Sequence, residues 1–289
     1  MSAQVSLFKL TIVIFTAVSL VVFGDTAGKL LTERGVAPGL VAWSRFALAA
    51  LLLMPFVKIQ KSDLVILLNW RVIVRACFIS GGILSILTAL KTEPIANVYG
   101  AFFIGPIVSY LLAYLFLGEN ISKVKTGLLL IGFMGVLFVV KPGFGMSGGL
   151  FFALLAGFCY GGYLAVTRLL AGSFPAPLLL LSQLLIGSIL LAPVGVTQQM
   201  FSLDLSSYAL IGASALFSAV GNYMLVLANR WATATLIAPL VYSQLIAATA
   251  VGFFIFGNWP DTVTLVGLFL ICVSGFGSLW LTRATGTKR

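Results

Sequence analysis

Residues 7–31 read LFKLTIVIFTAVSLVVFGDTAGKLL, a run whose only charges are Lys9 at its start and Asp25 and Lys29 towards its end. A helix of that length crosses a bilayer, because each residue rises about 1.5 Å and the hydrocarbon core is roughly 30 Å thick. The apolar stretch is too long for the core of a secretory leader, so it is expected to stay in the mature chain as a membrane span.

The rest of the chain repeats the pattern. Hydrophobic residues make up 61% of the 289 and charged residues 8%, far from the balance of a water-soluble domain. Apolar runs between charges and Pro, Gly or Asn clusters place further spans at 37–57, 70–90, 94–116, 122–140, 148–168, 175–196, 206–229, 233–256 and 261–282. The expected fold class is an all-α membrane protein of ten transmembrane helices joined by short loops. With the N-terminus in the cytoplasm, Lys9, Lys58, Lys61, Arg71, Arg75, Lys123, Lys125, Arg168, Arg230, Arg283, Lys288 and Arg289 fall inside, against Lys29, Arg34, Lys91 and Lys141 outside. Cytoplasmic loops carry the excess of Lys and Arg, so both termini are expected in the cytoplasm and the protein in the inner (plasma) membrane.

Several function classes drop out. The net charge of +10 is spread singly at span ends, where long basic side chains reach lipid headgroups, so the expected partner is the bilayer and not nucleic acid. The chain has no histidine, which removes the usual general base, proton shuttle and metal ligand. Cys77, Cys159 and Cys272 lie far apart in apolar runs, and neither a metal nor a cofactor is expected. Gly143–Gly148 spells G-x-G-x-x-G, but between apolar spans it lacks the strand and helix that nucleotide binding requires. Without a G-x-S-x-G, H-E-x-x-H or P-loop, neither an intramembrane enzyme nor an ATP-driven pump is expected.

A shift of 139 residues lays one half over the other: Ala37-Pro38 on Ala176-Pro177, Gly82 on Gly221, Ala89 on Ala228, Lys91 on Arg230 and Gly118 on Gly257. One more residue of shift brings Gly127 onto Gly267 and Gly135 onto Gly275. The halves are taken as 1–141 and 142–289, five spans each. Five is odd, so two copies of one fold enter the bilayer from opposite faces. Inverted-topology repeats of this kind build many secondary transporters, with the substrate site near the midplane.

Gly24 and Lys29, then Pro38, Leu40 and Arg45 spaced as P-x-L-x-x-x-x-R, the run to Pro55, Gly105-Pro106 before Leu117-Gly118-Glu119, and Ala238-Pro239-Leu240 together resemble the drug/metabolite transporter superfamily in its ten-helix EamA-like branch. Gly257-Asn258 departs from the Gly-Glu usual there, which puts that loop contact in doubt. Within the branch the chain looks most like the YddG-type exporters of aromatic and other amino acids. The resemblance implies helices 1–4 and 6–9 around a central cavity, with helices 5 and 10 at the periphery.

A charge inside hydrocarbon is costly unless paired or wetted, which singles out Asp25 and Arg45, at similar depth in spans 1 and 2. Arg45 serves either as a tie between helices or as a substrate contact; Asp25 serves either as a tie or as counter-charge for a substrate ammonium or a proton. Trp43, Tyr99, Tyr160, Tyr163 and Tyr223 fall within spans rather than at their ends, so each lines a cavity or makes an interhelical hydrogen bond. Ser44, Asn97, Gln183, Asn222, Ser243 and Gln244 need partners in the bundle, and among them Asn222, Ser243 and Gln244 are the substrate-binding candidates. Pro106 and Pro239 break helical ladders, and Pro239 falls on Gly100 under the shift; these three positions are gating hinges or static kinks.

The expected function is export of small metabolites, above all amino acids including aromatic ones, by alternating access, with a monomer sufficing. Carriage of another metabolite or a drug-like cation, and a channel or non-transporting subunit, are the alternatives.

Overall fold

The computed structural model describes residues 7–57, 66–117, 123–141, 146–170, 173–196, 203–231 and 240–286. Pro239, Gly118-Glu119 and residues 143–145 of the Gly143–Gly148 stretch lie outside the described residues.

Helix α1 (Leu7–Glu33) stops where Gly35 takes φ 86° and the Val36 amide donates to the Leu31 carbonyl at 3.0 Å, the bond across a left-handed helix cap. Pro38 then opens α2 (Pro38–Leu53), in the first turn, where the N–H has no intrahelical partner to lose. Asn69 caps α3 (Trp70–Leu90) by accepting from the Arg71 amide at 3.0 Å. The fourth span is two helices, α4 (Ile95–Phe102) and α5 (Ile104–Leu117), with a break at Phe103, and α6 (Lys123–Val140) follows. Ser147 caps α7 (Gly148–Leu169), accepting from the Leu150 amide at 3.1 Å. Then come α8 (Ala176–Gly195), α9 (Leu205–Trp231), α10 (Gln244–Phe256) and α11 (Thr262–Gly286). Helix α10 ends as α1 does, on Gly257 at φ 65° with the Asn258 amide donating to the Gly252 carbonyl at 2.9 Å.

Among the described residues, seven helical stretches, from Phe8–Glu33 to Leu205–Leu225, are long and apolar enough to cross a membrane. Thr126–Val140, Gln244–Phe256 and Thr262–Gly277 are shorter apolar helices. Phe8, Phe56, Phe116, Phe254 and Trp280 project from the surface while Asp25, Lys29, Arg45 and Arg75 are buried. That distribution suits lipid as the outer solvent, where apolar groups face outward and charges must find partners within the bundle.

The packing repeats with the sequence shift. Helix α1 lies along α9 as α7 lies along α3, and α3 crosses α8 as α9 crosses α2. A Cβ added at Gly221 would fall 2.6 Å from the Ala17 carbonyl oxygen; one added at Gly82 would fall 3.5 Å from the Ala156 carbonyl oxygen. Both the glycines and the alanines of these two contacts are related by the same 139-residue shift.

One end of the bundle gathers the close of α1, α3 and α10 with the start of α4. There the Lys29 ammonium donates to the carbonyls of Leu90 at 2.7 Å and Glu93 at 3.0 Å, pairs with Glu33 at 3.3 Å and sits 5.3 Å from the centre of the Phe256 ring. These contacts fasten the C-terminal carbonyls of α3 with a cation, the charge that end of a helix favours. At the same end Arg34 donates to Ser206 at 2.6 Å and Lys141 pairs with Asp261 at 2.6 Å.

Candidate functional site

Asp25, on α1, is 3% exposed, and its two carboxylate oxygens are divided between two helices. The Arg45 guanidinium of α2 donates Nη1 to Oδ1, and the Tyr99 hydroxyl of α4 donates to Oδ2 at 2.5 Å. Every nitrogen of Arg45 is engaged: besides Nη1, Nη2 donates to the Gly24 carbonyl at 2.7 Å and Nε to the Ser214 hydroxyl of α9 at 2.8 Å. Ser214 passes the chain on, donating to the same Gly24 carbonyl at 2.9 Å. On the far side the Gln244 side chain of α10 lies beside the Tyr99 phenol. Gly28, one turn along α1, makes room for the guanidinium, since a Cβ there would fall 2.8 Å from Arg45 Nη2.

Five helices drawn from both halves of the chain thus meet on one neutral ion pair. In low dielectric such a pair is held by further hydrogen bonds, and here both carboxylate oxygens and all three guanidinium nitrogens have partners. Asp25, Arg45, Tyr99 and Gln244, expected from sequence as separate candidates, form a single network. Ser214 joins them without having been expected: a serine in a span rich in Ala, Ser and Gly carries no mark of its role.

A file of aromatic rings leads away from Tyr99. Phe102 meets it edge-on at 6.2 Å between centroids, Tyr160 follows at 4.9 Å and Tyr163 stacks on Tyr160 at 6.0 Å. Tyr160 and Tyr163 project from α7, so this file also joins the two halves. It ends on Arg75 of α3, whose guanidinium lies 4.7 Å from the centre of the Tyr163 ring and donates Nη2 to the Tyr163 hydroxyl at 2.9 Å. Arg75 further donates Nε to Thr167 at 2.8 Å and Nη1 to the Leu179 carbonyl of α8 at 3.0 Å. Five residues into α3, Arg75 reads in the sequence as a headgroup-seeking cation, yet it is 4% exposed.

The other candidates are placed apart from this network. Trp43 packs against Gly195, where a Cβ would fall 2.1 Å from the Trp43 Cβ, so the indole lies on the α2–α8 crossing. Asn222 donates to the Ser218 carbonyl at 2.7 Å and Ser243 to the Leu240 carbonyl at 2.6 Å, each bonding its own stretch of chain, as Ser44 does with Val41. Tyr223 is 45% exposed. Gly100 is a close contact of α4 with α6 and α11, with room for no more than hydrogen beside Val139, 2.8 Å from an added Cβ. Pro106 lies beyond a true interruption at Phe103, and the Phe102 carbonyl oxygen, which Pro106 has no N–H to satisfy, faces α7 at Gly157, 2.6 Å from an added Cβ. Among the described residues no group of His, Cys, Asp and Glu is arranged to hold a metal ion.

A model of the family described as the EamA-like transporter family matches residues 7–141 and again 147–280. The S-adenosylmethionine uptake transporter of Rickettsia bellii (strain RML369-C) is 26% identical over 241 residues, 80% of this chain and 80% of the relative. Those of Rickettsia conorii (strain ATCC VR-613 / Malish 7) and Rickettsia prowazekii (strain Madrid E) are 26% identical over 240 and 25% identical over 239 residues, each covering 80% of this chain and 79% of the relative. A solved crystal structure, 17% identical, superposes with a TM-score of 0.64 over 96% of this chain and 99% of its own, a likeness of fold alone.

Proposed function

The chain belongs to the EamA-like transporter family, and from that premise we propose that it carries a small metabolite with an α-amino-acid head and an aromatic or heteroaromatic body, by alternating access between two inverted five-helix halves. It is a multi-pass membrane transporter of the drug/metabolite transporter superfamily and not an enzyme. The relatives named for S-adenosylmethionine uptake do not support the narrower resemblance to YddG-type aromatic exporters. S-adenosylmethionine and an aromatic amino acid nonetheless share an ammonium, a carboxylate and a flat ring, and S-adenosylmethionine is the first substrate to try.

The observation that carries this reading is the Asp25–Arg45 pair closed in by Tyr99, Gln244 and Ser214, with the aromatic file beginning at Tyr99. In the sequence shift, helices from both halves supply it, as a site between repeats requires. The exchanged packing of α1 on α9 and α7 on α3 supports the inversion. The aromatic faces suit a ring or the sulfonium of S-adenosylmethionine. Asp25 is the one mid-span carboxylate, so an ammonium or a proton competes with Arg45 for it. With both termini in the cytoplasm, the excess of Lys and Arg lies on that side of the inner membrane.

Uptake of labelled S-adenosylmethionine and a panel of labelled amino acids into proteoliposomes, with and without a pH gradient, tests the proposal. Saturable uptake accelerated by substrate on the far side marks a carrier; flux without such counter-transport marks a channel, and no flux marks a non-transporting subunit. An uncoupled carrier runs in whichever direction the substrate gradient sets, and a response to the pH gradient assigns a proton to the cycle.

A further inference from the structure

Among the described residues, the two buried guanidinium groups occupy corresponding places. Arg45 sits where α1, α2 and α9 meet; Arg75 sits where α7, α8 and α3 meet, and the 139-residue shift carries the first set of helices onto the second. Arg75 falls on Ser214, itself a partner of Arg45, and Tyr163 falls on Gly24, whose carbonyl Arg45 binds. The junctions differ in charge. Asp25 neutralises the first, whereas the second holds a cation whose partners are two hydroxyls and a carbonyl, all neutral.

None of the ion pairs among the described residues involves Arg75; they join Lys29 to Glu33, Arg45 to Asp25 and Lys141 to Asp261. A buried unneutralised cation is costly in a membrane protein and is by default a candidate for a ligand or ion path. A guanidinium carries five N–H donors in a fixed fork matched to carboxylates, and the three bonds it makes here leave donors over.

A second observation points to the same place. Gln183 and Ser80 are buried, and Gln183 Oε1 and Ser80 Oγ have no hydrogen-bond partner. Leu179, Gln183 and Gly187 succeed one another at four-residue spacing on one face of α8. Arg75 binds the Leu179 carbonyl, and Ser80 Oγ lies 2.7 Å from a Cβ placed on Gly187. Gln183 therefore stands between them on the α3–α8 seam. Buried acceptors are rarely left unbonded, because each forfeits the hydrogen bonds it had in water.

We infer that the α3–α7–α8 junction is a binding subsite for an α-amino-acid head group, in which Arg75 takes the carboxylate while Gln183 and Ser80 take the ammonium. The inference rests on the transport function proposed above and assigns its substrate's charged end. Tyr163, fixed by its hydroxyl and stacked beneath the guanidinium, is a positioning residue that holds the fork in plane. The rings of Tyr160 and Phe102 continue from the head group towards Tyr99 and offer their faces to the body of the substrate.

The test compares labelled S-adenosylmethionine with its decarboxylated form, two sulfonium compounds whose fixed charge prevents passive leak and which differ by the carboxylate. In proteoliposomes, the wild type is expected to favour the carboxylate-bearing compound by about tenfold in kcat/KM, the usual worth of one charge-assisted hydrogen bond. Arg75→Gln is expected to bring the two compounds to within about twofold, mainly by raising KM for S-adenosylmethionine, and Arg75→Lys to restore part of the preference. A preference that survives Arg75→Gln, or a wild type that takes both compounds equally, overturns the subsite. If Arg75→Gln does not fold, Tyr163→Phe, which removes the hydroxyl and keeps the ring, is expected to narrow the preference, and an unchanged preference overturns it. Wild-type liposomes that take up neither compound refute the transport function for this substrate. Thermal-shift titration of the detergent-purified wild type and Tyr163→Phe with the same pair then decides the subsite alone: a larger stabilisation by the carboxylate-bearing compound in wild type supports it, and equal stabilisation by both overturns it.

Discussion

Phe103 and Tyr242 stack on one another, with ring centroids 4.8 Å apart and planes 25° from parallel. Each marks an interruption of its span, Phe103 between α4 and α5 and Tyr242 in the turn before α10, and the two are related by the 139-residue shift. The halves of the chain therefore touch through two residues at which helix gives way to a turn. An aromatic pair of this geometry contributes about 0.5–1.5 kcal/mol beyond simple burial. Phe103→Ala and Tyr242→Ala are expected to show a coupling of that size in a double-mutant cycle read by thermal melting of the detergent-purified protein. Strictly additive losses would show that the rings fill space without recognising each other.

The Asp25–Arg45 pair makes a prediction of opposite form. Removing one member leaves the other charge buried without its counter-ion, at a cost of about 3–5 kcal/mol; removing both leaves none. Asp25→Asn and Arg45→Gln are each expected to lower the melting temperature and abolish uptake. The double substitution should melt above either single one while uptake stays lost. Two single losses that simply add in the double would contradict the pair's mutual dependence.

How much of this was legible beforehand depended on how unusual each residue is in its surroundings. Asp25 and Arg45 announce themselves because carboxylate and guanidinium inside apolar runs must be paired, and similar depth made each the natural partner of the other. Arg75 is the same residue type five positions from a span's start, where exposure to headgroups is the ordinary outcome; only the tertiary position of Tyr163, Thr167 and Leu179 takes it inside. Pro106 does betray a broken helix, but a proline frees the carbonyl four residues back, so the interruption falls at Phe103 and not at the proline. Asn222 and Ser243 look like substrate contacts because polar groups in lipid need partners, and the structure gives each one in its own backbone. Spacing along the chain cannot separate a local partner from a distant one.

The kink at Phe103 is held by α7. A Cβ on Gly157 would fall 2.5 Å from Ile104 Cγ2 and 2.6 Å from the Phe102 carbonyl oxygen, and one on Gly161 would fall 2.7 Å from the Gly105 carbonyl oxygen. Backbone cannot retreat as a flexible side chain can, so Gly157→Ala is expected to push α5 off α7 and destabilise the protein by about 1–3 kcal/mol. Gly212→Ala is the control: nothing lies within 4 Å of its added Cβ, and alanine is the better helix former by up to about 1 kcal/mol. Melting temperatures should fall for the first and hold or rise for the second. A Gly157→Ala protein as stable as the wild type would mean that α5 and α7 can part at this contact without loss.

Exposed just before the start of α11, Asp261 supplies a pH dependence whose direction follows from its partners. The Lys141 ammonium at 2.6 Å, then the Thr264 amide at 3.0 Å, hold its carboxyl down to about 2, below the ordinary 3.8. A carboxyl depressed in the folded state stabilises that state above the unfolded value and loses the contribution as pH falls through the folded one. The window is therefore from about 4 down to about 2, and stability should decline on acidification across it. Asp261 and Lys141 are both open to solvent, so the share due to their pairing is held below about 1 kcal/mol and weakens with salt. The hydrogen bond to the Thr264 amide caps the start of α11. Asp204, held down to about 2 chiefly by hydrogen bonds from Ser206 and Ser207, titrates in the same window, so Asp261→Asn should remove part of the acid sensitivity and Asp204→Asn with Asp261→Asn more of it. Thermal melting from pH 5 to pH 2 at low and high salt measures each contribution. Wild type and double variant losing stability in parallel would show that neither carboxylate governs the acid response.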